Sequence, residues 1–282
     1  NQKLLYDALY HAASATLNEL SKDAKYLGAD IGYICILHTW GSAMNYHPHI
    51  HTIVLGGGLD DENKWKETGG KFFLPYGVIS KVFRGKYLDE LKSLWNDSKL
   101  KFHGTAEKYQ NSYRFKELLD KCYEKNWVTY CKETFNGAQS VINYLGKYTH
   151  RIAISNHRIK SMTDTTVTYV VKDYKNEGCW KEKTISGEEF IRRFMMHVPP
   201  KRFVRIRHYG LLSCRNKRKK ITHCRNLLGC KKYISTLKNL NAVEMIRVLY
   251  HIDVCKCSSC GGNMVSPRKD KYSSSFRAHM RC

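Results

Sequence analysis

Histidines stand at every second position in Tyr46-His47-Pro48-His49-Ile50-His51. Alternate side chains of an extended strand share a face, so His49 and His51 point the same way, about 7 Å apart along the chain. His47 has the same parity, with Pro48 able to bend the chain between them. Neutral imidazoles are good ligands for divalent metals. The pattern therefore predicts a metal pair on a strand, with Ile50 and the apolar run Thr52-Ile53-Val54-Leu55 anchored in a core. A second reading stays open, because with 13 histidines in the chain such a pair is also compatible with a plain polar face. A second element with matching chemistry is needed to choose between them.

That element is Tyr144 with Tyr148. Residues 137–151 read as a helix, and two tyrosines four apart lie on one face of it. Tyrosine is a weak nucleophile at neutral pH. Its attack on a phosphodiester needs a cation that polarises the phosphate and stabilises the leaving oxygen. The product is a covalent phosphotyrosine that conserves the bond for later strand joining. Ordinary packing is the competing reading, since the chain has 19 tyrosines.

Elements must position these residues. A helix is expected over 3–27, stopped by Gly28, followed by a strand over 32–40 and the histidine strand over about 49–56. The two strands are neighbours, which brings His38 near the metal pair, although His38 also reads as an ordinary packed residue. Gly56-Gly57-Gly58 reads as a chain reversal or as a close approach of backbones. A loop with a short strand at 71–74 leads to helices over 76–97 and 104–125. Strands are expected at 127–131 and from 152. A three-stranded meander follows over 158–162, 165–172 and 181–186. A helix over 187–197 and a short one near 240–250 complete the pattern. The fold class is α+β: a central, mainly antiparallel sheet with the histidine strand, the tyrosine helix packed across it, a basic C-terminal region and a small cysteine-rich tail. The domain reading is a catalytic core over 1–155, a meander and helix completing it over 156–212, a basic region over 213–250 and the tail over 251–282.

Composition narrows the partner. Of the 282 residues, 48 are Lys or Arg against 25 Asp or Glu, a formal charge of +23. That excess favours a polyanion, and aromatics set among cations make stacking platforms for unpaired bases. Arg205 and Arg207 lie in one such stretch, and Lys217 and Arg218 in the basic segment 214–232. No run of 18 apolar residues indicates a membrane span. The 11 cysteines without a secretory leader fit a reducing compartment. Cys257 and Cys260 form a Cys-x-x-Cys knuckle, and His279 and Cys282 repeat its spacing. Together they are candidate ligands for structural Zn²⁺, against reduced thiols in a flexible tail.

The motifs together resemble a known family. His38-Thr39-Trp40-Gly41, the His47–His51 stretch with Gly57-Gly58-Leu59, Tyr144–Ser155 and Arg205–Leu212 resemble, in order, the motifs of the HUH-type rolling-circle transposases with two tyrosines. The likeness covers about residues 1–230. It implies a metal-dependent single-strand DNA endonuclease and strand transferase that moves an insertion sequence, with single-stranded DNA at transposon ends and target as partner, acting in the cytoplasm on the nucleoid. By the same resemblance Tyr144 and Tyr148 are the nucleophiles and His49 and His51 ligands of Mg²⁺ or Mn²⁺; the motif leaves the third ligand open, with His47 the first candidate and Gln139 the alternative. Arg151 contacts the phosphate or caps the helix. A replication initiator or relaxase with the same site, and an inactive DNA-binding relic, are the competing functions. Members of the family usually carry a cysteine-rich zinc module ahead of the core. This sequence starts at the core helix without a methionine, which reads as a fragment or a decayed element.

Overall fold

Residues 30–40 are apolar on both parities, as a strand buried on both faces requires. In the structure, a computed structural model that describes residues 1–69, 74–131, 138–149, 152–173, 178–230, 237 and 239–264, they form β1 (Asp30–Trp40). β1 pairs antiparallel with β2 (Tyr46–Leu59), and the register sets His38 opposite His49 and Ile36 opposite His51. β3 (Trp65–Glu67) adds to β2 and β7 (Ile206–Gly210) to the other edge of β1. The sheet order is β3-β2-β1-β7, antiparallel throughout.

One face of this sheet carries Tyr33, Cys35 and Leu37 from β1 and Ile50 and Val54 from β2. α1 (Gln2–Lys22) covers it with Tyr6, Leu9, Tyr10, Leu17 and Leu20, and α2 (Tyr76–Asn96) adds Val78, Ile79, Val82 and Phe83. Tyr10 is fully buried, and its hydroxyl ties the helix to the strands. It accepts from the Leu37 amide at 3.0 Å and donates to the Arg205 carbonyl. The opposite face carries His38, His49 and His51 towards one end of β1, and Leu55 with Leu59 and Leu211 towards the other. There Cys224 of α6 (Lys217–Leu227) packs on that apolar group.

The glycine run lies inside β2 rather than at the reversal. Gly58 pairs with Ile31 on one side and Lys66 on the other, and a Cβ there would stand 2.4 Å from the Asp30 carbonyl oxygen. Close approach of neighbouring backbones is therefore what excludes a side chain. At the far edge Gly210 has φ +57°, with the Ile31 carbonyl where a Cβ would sit.

The expected helix over 104–125 is broken in two, a 3-10 helix (Gly104–Gln110) and α3 (Ser112–Glu124). Asn111 causes the break: its side chain accepts the Arg114 amide at 3.2 Å and caps the second piece. Residues 127–131 join no strand among the described residues, and Val128 and Tyr130 are exposed. The stretch after 151 turns instead of forming a strand, with buried Ala153 at φ 58°. Of the expected strand at 71–74, residues 71–73 lie outside the described ones. The meander forms as read: β4 (Ile159–Met162), β5 (Thr166–Asp173) and β6 (Cys179–Ser186) pair antiparallel in that order. Its inner face, with α5 (Gly187–Met195), packs on Ala43 and Met44 of the β1–β2 turn. The fold is thus the α+β arrangement that the sequence implied, with α4 (Ala138–Thr149) carrying the two tyrosines.

The chain forms two compact units, Asn1–Leu227 and Leu228–Cys282. In the second, α7 (Ala242–Tyr250) starts at a capping box between Asn241 and Glu244. Among the described residues no helix is long and apolar enough to cross a membrane.

Candidate metal and tyrosine site

Residues directly opposite in an antiparallel pair share a face. The register therefore puts His38 beside His49, and the period of two adds His51. The ligand atoms of these three histidines all lie within 4.8 Å of one another, the only such group of His, Cys, Asp or Glu among the described residues. His49 Nε2 and His51 Nε2 are 3.0 Å apart. His38 is 3% exposed, and its ring stands 4.2 Å from that of His51 and stacks on Trp40 at 4.6 Å.

Electrostatics prepare these rings as ligands. Burial pushes the pKa of both His49 and His51 below the ordinary imidazole value, that of His51 to about 4 with help from its neighbour His49. Both are neutral at pH 7. His49 Nδ1 lies 2.7 Å from the His47 carbonyl. A carbonyl only accepts, so Nδ1 carries the proton and Nε2 the lone pair. This backbone contact is how an outer-shell partner normally orients a metal-binding imidazole.

The donor set fits a divalent ion. Two nitrogens each about 2.1 Å from a cation, and at right angles about it, are separated by about 3.0 Å, which matches the observed spacing. Three imidazoles suit a transition metal better than Mg²⁺, which prefers oxygen donors.

α4 brings its first tyrosine to the triad. Tyr144 Oη is 2.7 Å from His51 Nδ1. Tyr148 lies one turn further along the same helix. For Tyr148 and for Gln139 only the backbone is described.

The other expected site residues are distributed differently. His47 is exposed and stands outside the triad. Its ring is 5.0 Å from that of His49, and it acts on the site through its carbonyl. Arg205 is partly buried, with its guanidinium 5.8 Å from the centre of the Trp40 ring that stacks on His38. Arg207 has the parity of Tyr209, so it lies on the α1 face, away from the triad. There it pairs with Asp7 and covers the Tyr10 ring at 4.0 Å. Lys217 and Arg218 are exposed in the first turn of α6. Arg151, His279 and Cys282 lie outside the described residues. Cys257 and Cys260 flank a tight turn in which the Gly261 amide donates to the Cys257 carbonyl at 2.9 Å. Amides of Cys260 and Ser259 hold the Cys257 thiol below its ordinary pKa.

Two supporting residues were not singled out from sequence. His197 is buried, its Nε2 3.2 Å from the Met44 carbonyl and its Nδ1 3.2 Å from Thr39 Oγ1. It joins the end of α5 to both sides of the β1–β2 turn. Trp40 is the plate under His38. The signal for Trp40 was its parity with His38; nothing local marks His197.

Comparison with known proteins places this chain in a family. A "Putative transposase y4qJ" of Sinorhizobium fredii (strain NBRC 101917 / NGR234) is 40% identical over 230 residues, covering 81% of this chain and 58% of its own. The "Transposase for insertion sequence element IS801" of Pseudomonas savastanoi pv. phaseolicola is 28% identical over 264 residues, covering 93% of this chain and 62% of its own. The chain thus spans about three fifths of the length of these relatives. No solved structure matches it. The Y2_Tnp family, described as putative transposase, matches residues 32–220, a span that includes the three clustered histidines and Tyr144, and the chain belongs to that family.

Proposed function

We propose that this chain nicks and rejoins single-stranded DNA through a covalent 5′-phosphotyrosine, as a transposase moving an insertion sequence by a rolling-circle route. One observation carries the reading: a tyrosine hydroxyl 2.7 Å from one member of a three-histidine cluster. Supporting it are the family membership and the relative named as the transposase of IS801.

His38, His49 and His51 would hold the ion, and Mn²⁺ fits them better than Mg²⁺. When bound, the ion supplies a charge that polarises the scissile phosphate and stabilises the departing oxygen. The chain's own residues do the rest. Tyr144 or Tyr148 Oη bonds to phosphorus, the P–O3′ bond breaks, the phenolic proton passes to water and the freed 3′ oxygen takes one from water. The neutral histidines keep their lone pairs at working pH because burial holds protons off them. Arg205 and, where it lies near the phosphate, Arg151 would position the strand. Lys217 and Arg218 crowd cations into the first turn of α6, where the helix dipole disfavours them and no acidic residue offsets them. A bound polyanion relieves that repulsion. The place of action is DNA in the cytoplasm.

The test is a denaturing gel after incubation with Mn²⁺ and labelled single strands covering both ends of the DNA element that encodes the chain. A protein–DNA adduct that survives denaturation and is abolished by EDTA is expected. DNA binding without any adduct would instead favour the inactive relic. Cleavage and joining at a replication origin, but not at element ends, would favour the initiator or relaxase.

A further inference from the structure

A cavity of about 220 Å³ lies at the other end of the triad face, where α6 meets the turn between β2 and β3. Leu59 and Leu211, both buried, form its floor. Leu59 stands eight residues past His51 on β2, no more than about 26 Å away at about 3.3 Å per residue. Asp60 and Asn63 of the turn make one wall, and Lys219, Lys220 and His223 of α6 make the other. Asp30, at the start of β1, completes the lining. The metal and tyrosine site uses none of these residues.

The walls are held in place by their own hydrogen bonds. His223 Nε2 donates to the Asn63 carbonyl at 2.9 Å and ties α6 to the turn. Asn63 has φ 58°, a left-handed conformation that asparagine tolerates. The turn closes through the Asp60 amide on the Lys64 carbonyl at 3.0 Å and the Asn63 amide on the Asp60 carbonyl at 2.9 Å. Asp60 Oδ1 accepts the amides of Glu62 and Lys64 at 3.0 and 2.8 Å. Two amides thus fix the carboxylate, and its second oxygen has lone pairs to offer a guest. Asp30 Oδ1 pairs with Lys22 at 3.1 Å.

The chemistry of these walls selects the guest. An apolar floor suits a flat ring. Two carboxylates accept from N–H groups and repel a free anion. On the α6 side, Lys219 and His223 also border a neighbouring cleft with Arg218, Thr222 and Asn226, all able to donate to phosphate oxygens. A nucleotide unites these properties, with its base over the leucines, its N–H edge towards the carboxylates and its phosphates along α6. That edge is free only in an unpaired base. Guanine alone presents two adjacent donors there, N1–H and the 2-amino group. Adenine and cytosine set an amino group beside a ring acceptor, and thymine has one N–H between two carbonyl oxygens.

We infer that this cavity reads one unpaired guanine of the bound strand, with Asp60 as the residue that specifies it. This rests on the function proposed above and adds to it a reading site apart from the nicking site.

Methyl spectra of the full chain, labelled at leucine, test the cavity without any need for cleavage. The four deoxynucleoside monophosphates, deoxyinosine monophosphate and inorganic phosphate are titrated separately. The Leu59 and Leu211 methyl signals should move, with dGMP binding at least about tenfold more tightly than TMP, the scale of hydrogen bonds to a charged group. Deoxyinosine monophosphate, which lacks the 2-amino group, should bind several-fold more weakly than dGMP. Asp60→Asn keeps an oxygen for the Glu62 and Lys64 amides, so it should fold normally and lose the preference. No response, an equal response to all the nucleotides and phosphate, or a preference that survives Asp60→Asn overturns the proposal. A scan of guanine-to-inosine replacements along the end-sequence strands, with binding measured without metal, extends the test to DNA. One position should weaken wild-type binding by about tenfold and have no effect in Asp60→Asn. A chain that reads this guanine but forms no adduct with Mn²⁺ keeps the subsite and loses the nicking function. Adduct formation with no sensitive position does the reverse.

Discussion

The third histidine ligand can be tested by exchanging the two candidates. Sequence parity favours His47, and the sheet register favours His38. His38→Leu removes a donor nitrogen and keeps much of the volume packed on Trp40, whereas His47→Ala removes an exposed ring and leaves intact the carbonyl that orients His49. Losing only an outer-shell partner costs a metal site about 10–100-fold in affinity. Losing one of three direct donors should cost at least the upper end, ~100-fold, or about 2.8 kcal/mol at 1.4 kcal/mol per tenfold. His47→Ala should stay within about threefold. Calorimetric titration of Mn²⁺ into each folded variant measures both. The fold check is the thermal midpoint without metal. His38→Leu should hold it within a few degrees, because leucine keeps much of the buried packing against Trp40. Equal loss in both variants, or loss only in His47→Ala, would sink the assignment of His38 and return the site to the strand β2 alone.

Protonation should act on the metal-free fold in one direction. His49, His51 and His197 all have folded pKa values below the ordinary 6.5, chiefly from burial. The unfolded chain therefore binds more protons as pH falls. Stability should be full above about pH 6.5 and decline towards about pH 4, where His51 itself titrates. Thermal midpoints across that range test this, and a midpoint that rises on acidification would contradict it. Arg207→Ala should destabilise the chain by about 1–3 kcal/mol, the cost of leaving a partly buried carboxylate unpaired, with little change in DNA affinity. Lys217→Ala with Arg218→Ala should do the opposite, reducing the salt slope of single-strand binding by about 1.4 at roughly 0.7 per phosphate contact. Fluorescence titration at several salt concentrations, beside urea melts, separates the two behaviours. The cysteine knuckle predicts a second metal, Zn²⁺, lost in Cys257→Ser and in Cys282→Ser while Mn²⁺ binding persists. Elemental analysis of the purified variants decides it, and unchanged zinc content would reassign the knuckle to reduced thiols.

Local patterns carried most of the architecture. The continuous apolar run of 32–40, the spacing of the meander and the helical stripe of 76–97 each depend on neighbours within one element, so a single sequence shows them. The misses have a shared cause. Asn111 broke an expected helix because a side chain competed for a backbone amide, which periodicity does not register. Residues 127–131 have strand-like composition, but a strand needs a partner, and composition does not supply one. His38 belongs to the triad because of a cross-strand register, set by the length of the β1–β2 turn and a shift between His38 and Trp40. Counting parity along β2 alone leads to His47. Arg207 reads as a cation for DNA in a basic stretch. Only the pairing of β7 with β1 shows that its side chain faces Asp7 on the other side of the sheet.

The same sheet explains why the two halves of the site are built differently. The triad stands on the two central strands, and the opposite face of those strands is fastened by α1, through packing and through the Tyr10 hydroxyl at the β1–β7 seam. His197 and the meander secure the turn that joins them. A ligand set held this way keeps its geometry without help from the nucleophile, which is what metal binding before DNA cleavage demands. Tyr144, the proposed nucleophile, comes from a separate helix and meets the triad through a hydrogen bond to a ring nitrogen that would face away from the proposed ion. Such a contact can be broken and remade without disturbing the ligands. If two tyrosines on one helix are to serve one ion in turn, that separation is the physical requirement, and Tyr144→Phe leaving Mn²⁺ affinity unchanged is its measurable consequence.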